Sequence, residues 1–229
     1  MKRSSRPRAT AELPKSLNHH LNMYALAAGA TGVSLLAFAR PAEGKIVYTK
    51  THHVIGLNHA YKLDLTHDGT TDFLIQETQT GSVGFLVNRL AATEPPGNAV
   101  EGYAHYSRRY ASALKRGAPV GGRQRFVSGG RFAQEMAEVQ QSDTVFYKYY
   151  GPWTKVSNRY LGLKFKIHGK THYGWARLTV ADQGFTLTAT LTGYAYETNP
   201  NKPIIAGKTK GPDFVVEPAT LGRLALGRK

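Results

Sequence analysis

The sequence predicts an all-β protein, an antiparallel β-sandwich or jelly-roll-like fold with a short helix in a long middle connection. Apolar and polar residues alternate with period two through much of the C-terminal half, which is typical of half-buried strands. Short apolar runs in the N-terminal half are separated by glycine, asparagine and aspartate, which favour turns. The chain also contains 13 tyrosines, a residue that suits the pleated surface of a sheet.

Residues 1–44 have the layout of a secretory signal peptide. A basic stretch precedes an apolar run from Tyr24 to Ala39, and small residues follow in Ala42-Glu43-Gly44. The run is shorter than the roughly 20 apolar residues of a permanent membrane span. We therefore expect an exported protein, extracellular, at the cell surface or in the periplasm, with no permanent transmembrane helix after cleavage. A buried apolar helix is the alternative.

A single β-rich domain is predicted over residues 45–210. Its first half holds four short strand candidates, "KIVYTKTHHVIG", "HAYKLDL", "TDFLIQET" and "SVGFLVNRL". Residues 92–142 are predicted to be a long elaborated loop region with little regular structure. Within it, "YAHYSRRYASALKRG" is predicted to form a short helix that ends at Gly117.

Alternation is clearest in the stretches "RYLGLKFKIHG", "THYGWARLTV" and "FTLTATLTGYAYE". In the first, Leu161, Leu163 and Phe165 fall on one face, with lysines on the other. Turn residues separate the three stretches, as hairpin connections require. They therefore predict a three-stranded antiparallel meander with one wet face.

The stretch "DLTHDGTTDF" predicts a candidate calcium loop. Calcium takes six to eight oxygen ligands, and a glycine at the sixth position lets a short loop turn around the ion. The sequence places oxygen-bearing residues at alternating positions around Gly69. The candidate ligands are Asp64, Thr66, Asp68, Thr70 and Asp72.

Two departures from an EF-hand are plain in the same stretch. Ile75 stands where the bidentate glutamate would be, and the flanks are strand-like. The loop instead resembles the D-x-[DN]-x-D-G-x-x-D calcium loops of secreted β proteins, such as integrin-type propeller repeats, with Thr66 in place of Asp or Asn. A plain β-turn at Asp68-Gly69 is the alternative.

Three stretches of the C-terminal half are similar to parts of a known protein family. They are "RYLGLKF", "HYGWARL" and "GYAYETNPNKPIIAG". With the tail "VEPATLGRLALGRK" they resemble a family of exported bacterial proteins of unknown function that often end in a PEP-CTERM-type sorting signal. Residues 211–229 are then a degenerate relative of that tail, because Val216 replaces the first proline of its core and Arg223 interrupts its short apolar segment. The resemblance implies export and a β-rich body.

The composition and motifs of the chain exclude several classes of catalytic and binding site. The chain has no cysteine, which excludes disulfides and thiol catalysis. It contains no G-x-S-x-G, H-E-x-x-H or P-loop sequence, so no catalytic residue is assigned. The net charge is +15, of which residues 1–44 carry +4, with six Lys or Arg and two Glu. The remaining body would attract polyanions, and a merely soluble basic surface is the alternative. No specific nucleic-acid motif accompanies this charge.

Aromatic side chains in the C-terminal half are candidates for ligand binding, since aromatics on a sheet face form platforms for sugar rings. Burial in the core is the alternative use of such residues. The candidates are Trp153, Trp175, Tyr173, Tyr194 and Tyr196. The first functional hypothesis is an exported non-enzymatic β domain for adhesion or glycan binding. The alternatives are a secreted polysaccharide hydrolase and a basic protein that binds cell-surface polyanions.

Overall fold

The structure, a computed structural model, describes residues 44–129, 133–143 and 147–211. The predicted signal peptide lies outside these residues, apart from Gly44, as does nearly all of the predicted sorting tail. The described residues form fourteen strands and no helix, which confirms the all-β prediction. The strands are β1 (Ile46–Ile55), β2 (Ala60–Leu63), β3 (Phe73–Ser82), β4 (Phe85–Thr93), β5 (Ala99–His105), β6 (Arg108–Ala111), β7 (Pro119–Val120), β8 (Phe126–Val127), β9 (Gln134–Ser142), β10 (Lys148–Tyr150), β11 (Val156–Ile167), β12 (Lys170–Gln183), β13 (Thr186–Glu197) and β14 (Ile204–Ile205).

Twelve strands belong to one mixed sheet. Ten of them follow the order β1-β13-β12-β11-β5-β6-β9-β4-β3-β2, while β10 pairs with β9 and β8 pairs with β5. All pairings are antiparallel except the single β6–β9 pairing at Tyr110 and Glu135. The end strands approach each other, since the rings of His53 in β1 and Tyr61 in β2 have centroids 4.4 Å apart. The sheet thus nearly closes on itself, and the predicted sandwich or jelly roll is not confirmed.

The C-terminal meander is confirmed. Strands β11, β12 and β13 pair in sequence order. Leu161, Leu163 and Phe165 are fully buried in the main core, which is the face that the period-two pattern predicts. The turn between β11 and β12 has positive φ at His168 and Gly169, as a tight hairpin requires.

The other face of the meander is less wet than predicted. Tyr160, Tyr173 and Trp175 lie in a second core with Val120 and Ile204. The last two belong to the small two-stranded sheet of β7 and β14. Distant chain segments therefore cover an outer face that local alternation alone assigns to solvent.

The short helix predicted in the middle connection is wrong, and residues 92–142 contain more regular structure than predicted. Strands β5 and β6 form a hairpin with Tyr103 opposite Tyr110 and His105 opposite Arg108. Aromatic cross-strand pairs stabilise sheets, and both edges of this hairpin are paired, with β11 and with β9. Tertiary pairing therefore overrides a weak local helix preference.

Candidate functional site

The acidic loop between β2 and β3 is organised around Asp64. Its carboxylate accepts hydrogen bonds from the backbone N–H groups of His67 at 2.7 Å, Asp68 at 3.4 Å and Gly69 at 2.8 Å. The chain turns through positive φ at His67 and Gly69. The side chain of the first aspartate thus holds the loop closed through its backbone.

The other two carboxylates of the loop differ in environment. Asp68 is exposed, and hydrogen bonds from the backbone and hydroxyl of Thr70 lower its pKa. Asp72 is only 7% exposed and accepts a bond from the Leu65 N–H at 2.8 Å. Burial, together with the charges of Asp64 and Asp68, raises the pKa of Asp72 to about 6. Among the described residues, no lysine or arginine forms an ion pair with any of the three carboxylates of this loop.

The two threonines take lesser parts. The Thr66 hydroxyl lies 3.5 Å from Asp64 Oδ1, and the Thr70 N–H donates to Asp68 Oδ1 at 2.8 Å. Within the described residues, no group of three or more His, Asp or Glu side chains is arranged to hold a metal ion. Calcium binding by this loop stays a prediction.

Calorimetric titration tests calcium binding by this loop. We expect residues 45–229 to bind calcium with sub-millimolar to millimolar affinity, as weak extracellular loops do, and to melt at a higher temperature with the ion. Asp68→Ala should lose both effects, and Asp143→Ala, which changes an exposed carboxylate elsewhere, should keep them. No heat and no thermal shift up to about 10 mM calcium would reduce the stretch to a turn.

The aromatic candidates from the sequence are nearly all buried. Trp153 and Trp175 are fully buried, Tyr173 and Tyr194 are 6% and 5% exposed, and Tyr196 is half-buried against the main core. The Trp153 indole N–H donates to the Ala111 carbonyl at 2.9 Å. The structure therefore places these side chains in packing roles, away from any open platform.

A different aromatic set is exposed, on the β5–β6 hairpin. Tyr103 is 39% exposed and its ring stacks on Tyr110, with centroids 5.5 Å apart. Tyr106, at the hairpin tip, is 93% exposed and packs edge-on against His105 at 4.4 Å. The palindrome-like spacing of "YAHYSRRY" around a two-residue turn was the sequence signal for this arrangement.

Two adjoining depressions, of about 420 Å³ and 410 Å³, flank this hairpin and share His105 and Tyr110 in their walls. We call them together the tyrosine groove. Its main lining side chains are Tyr103, His105, Tyr106, Arg108, Tyr110, Gln140, Tyr150 and Pro152. Concave surfaces with convergent polar groups are the usual form of a binding site.

An ion-pair cluster fixes one wall of the groove. Glu138 is 1% exposed. It accepts bonds from Arg89 Nη2 at 2.6 Å, Gln140 Nε2 at 2.6 Å and Arg108 Nη1 at 3.3 Å. Arg108 Nη1 also lies 3.0 Å from Glu135 Oε2. Because Arg108 and Gln140 both line the groove, Glu138 holds two polar side chains of its wall in position.

The charges of the cluster stabilise one another, as the pKa shifts of Glu138 and Arg108 indicate. Burial acts to raise the pKa of Glu138, but the hydrogen bonds and charges of Arg89, Gln140 and Arg108 outweigh it and lower that pKa below its usual value. For Arg108, burial acts to lower the pKa, but the charges of Glu138 and Glu135 outweigh it and raise the pKa further above its usual range. Glu138 is therefore ionised and paired at neutral pH.

Comparison of this chain with protein-family models, with curated proteins and with solved structures gives no match. Among the residues that the structure describes, none forms a helix long and apolar enough to cross a membrane. The geometry of the tyrosine groove is therefore the basis for a proposed function.

Proposed function

We propose that this protein is an exported, non-enzymatic glycan-binding module that holds neutral sugar rings in the tyrosine groove. A pyranose ring has an apolar C–H face and a rim of hydroxyl groups. The groove offers the complement, with aromatic faces beside planar polar side chains. The predicted signal peptide supports export, which would bring the groove to extracellular glycans.

The observation that carries the proposal is the state of Tyr106. Its ring is 93% exposed, and its backbone has φ of 51°. That left-handed conformation favours glycine and costs a tyrosine free energy. An exposed aromatic in a strained turn gains nothing for the core, so its use is best explained by contact with a ligand.

The stacked pair Tyr103 and Tyr110 supplies a rigid aromatic surface beside this tip. The rings lie 28° from parallel and come from directly opposite positions of two paired strands. Tyrosine side chains have few rotatable bonds, so little conformational entropy is lost on binding. A ligand ring that lies on them meets a surface already formed.

Polar recognition would come from Arg108 and Gln140. Both line the groove and both are tied to Glu138. Side chains held in this way can donate their remaining N–H groups to sugar hydroxyls without first being ordered. Preorganised donors give specificity among sugars of similar shape.

The same cluster favours binding over glycoside hydrolysis. Glu135 and Glu138 both lie within 3.3 Å of the same Arg108 nitrogen, so their carboxyl groups are close neighbours. Hydrolysis needs one of two such groups to keep a proton as general acid, with a raised pKa. Here the arginine bonds lower the pKa of Glu138.

A panel of neutral oligosaccharides tests the proposal. We expect residues 45–229 to bind at least one of cello-, manno-, xylo- or galacto-oligosaccharides, with no loss of binding at high salt. Tyr106→Gly should bind about tenfold or more weakly, as removal of a central aromatic contact does. It should fold as well as the wild type, because glycine removes the backbone strain.

The matched control is His168→Gly. His168 is exposed and has φ of 48° at the tip of the β11–β12 hairpin, so the same backbone change is made away from the groove. It should leave binding unchanged. Equal affinity in wild type and Tyr106→Gly, or no binding to any member of the panel, would contradict the proposal.

A further inference from the structure

The basic residues of this protein are not spread evenly along the chain. Between Glu101 and Glu135 the sequence has seven Lys or Arg and no Asp or Glu. Between Glu197 and Asp213 it has three lysines and again no acidic residue. Two separate segments therefore carry most of the excess positive charge of the β-rich body.

The structure brings these two segments together on the outer face of the meander. The Gly117 N–H donates to the Ala206 carbonyl at 2.9 Å, and the Ala206 N–H donates to the Ala118 carbonyl at 2.8 Å. Strands β7 and β14 pair beside this contact. The segments thus form one layer, which covers the second core.

Six basic side chains of this layer are exposed. They are Lys115, Arg116, Arg123, Arg125, Lys208 and Lys210, and we call them the basic layer. No ion pair within the described residues involves any of them. The nearby lysine that does have a partner, Lys202, lies 3.3 Å from Glu197. The basic layer therefore presents uncompensated positive charge.

We propose that the basic layer is a second binding site, for an acidic polysaccharide, independent of the tyrosine groove. A surface that carries several Lys and Arg side chains outside any ion pair matches carboxylate or sulfate groups repeated along a flexible chain. Outside the β5–β6 hairpin, the described part of the two segments has one exposed large apolar side chain, that of Ile205. The layer thus lacks the aromatic surfaces on which single-stranded nucleic acids stack.

The secondary structure of the basic layer disfavours recognition of duplex DNA. It consists of short strands and turns, without the helix that commonly enters a major groove. The predicted export of the protein points the same way, towards polyanions outside the cell. An acidic polysaccharide is therefore the polyanion that fits the surface best.

The experiment uses heparin and polygalacturonate as probes, with dextran as the neutral chain. We expect residues 45–229 to bind both acidic polymers at about 50 mM salt, and to lose 10-fold or more of this affinity by about 200 mM, as charge-driven binding does. Dextran should not bind at this surface. Acidic-polymer binding should persist in Tyr106→Gly, which separates this proposal from the groove.

Two double variants locate the site. Arg123→Gln with Arg125→Gln, and Lys208→Gln with Lys210→Gln, should each weaken heparin binding several-fold. The charge-matched control is Lys50→Gln with Lys62→Gln, which changes exposed lysines of β1 and β2, at the two ends of the sheet order. An equal loss of heparin affinity in all three double variants would contradict this location of the site. It would indicate that binding depends on the net charge of the protein alone. Tighter binding to single-stranded or duplex DNA than to either polysaccharide would overturn the ligand.

Discussion

At about pH 8, Glu101→Gln is expected to be more stable than the wild type by about 2–3 kcal/mol. The Oε2 atom of Glu101 is buried without a hydrogen-bond partner. Burial raises the pKa of this carboxyl from 4.5 to about 7. Above that pH the folded protein must hold an uncompensated charge, which glutamine removes without changing the shape of the side chain.

The sign of the pH dependence follows from the raised pKa. The folded state binds the proton of Glu101 more tightly than the unfolded state, so this group contributes stability fully below about pH 4.5. That contribution is lost as the pH rises through about 7. The variant should therefore match the wild type near the lower value and exceed it increasingly across this window. Part of the dependence should remain, because burial also raises the pKa of Glu94 to about 7.

Urea unfolding curves followed by tryptophan fluorescence measure this difference, since both tryptophans are buried. Glu138→Gln is the matched control. The same chemical change there removes the charge that pairs Arg89 and Arg108, and should destabilise the protein by about 1–3 kcal/mol. A Glu101→Gln variant that is less stable than wild type at about pH 8 would show that the ionised carboxylate has a partner.

Trp153→Ala is expected to lower the free energy of unfolding by about 3–5 kcal/mol, as removal of a large buried aromatic does. Trp153 is fully buried in the main core. Its loss would leave a cavity and would also remove the donor to the Ala111 carbonyl. Because Ala111 ends β6, the damage should fall beside the tyrosine groove.

Thermal and urea unfolding measure this loss, and Tyr106→Ala gives the comparison for an exposed aromatic. A surface substitution of that kind changes stability by about 0.5 kcal/mol or less. If Trp153→Ala were equally mild and instead weakened sugar binding, Trp153 would be a ligand contact, as its sequence position first suggested. A Trp153→Phe variant should lie between the two in stability, because it keeps most of the buried volume.

The parts of the fold that sequence predicts are those with local patterns. Leu161, Leu163 and Phe165 fall on one buried face because a strand alternates sides at every residue, whatever its neighbours are. The hairpin of β5 and β6 escaped prediction because its arginines, alanines and serines suit a helix as well as a strand. Its strand state depends on pairing with β9 and β11, which lie far along the chain.

The candidate sites divide in the same way. The acidic loop is a contiguous stretch, so its turn and its closure by Asp64 depend on residues that are neighbours in the sequence. The tyrosine groove needs a hairpin beside Gln140 and residues 150–152. The basic layer needs two segments that meet through the Gly117–Ala206 contact and the pairing of β7 with β14. Tyr106 is exposed and Trp175 is buried because of how distant parts of the chain pack around each of them. Residue type alone does not decide this, since both kinds of aromatic side chain occur in cores and at surfaces.

The measurement that tests the glycan-binding proposal most directly is a map of amide chemical-shift changes on isotope-labelled residues 45–229, with the tightest-binding neutral oligosaccharide of the panel. The proposal predicts changes concentrated within the hairpin at 103–110, at residue 140 and at residues 150–152, the three parts of the chain that supply the lining of the groove. Changes concentrated at residues 173–175 and 194–196 instead, with the hairpin silent, would contradict it and return the site to the aromatic positions that the sequence first suggested.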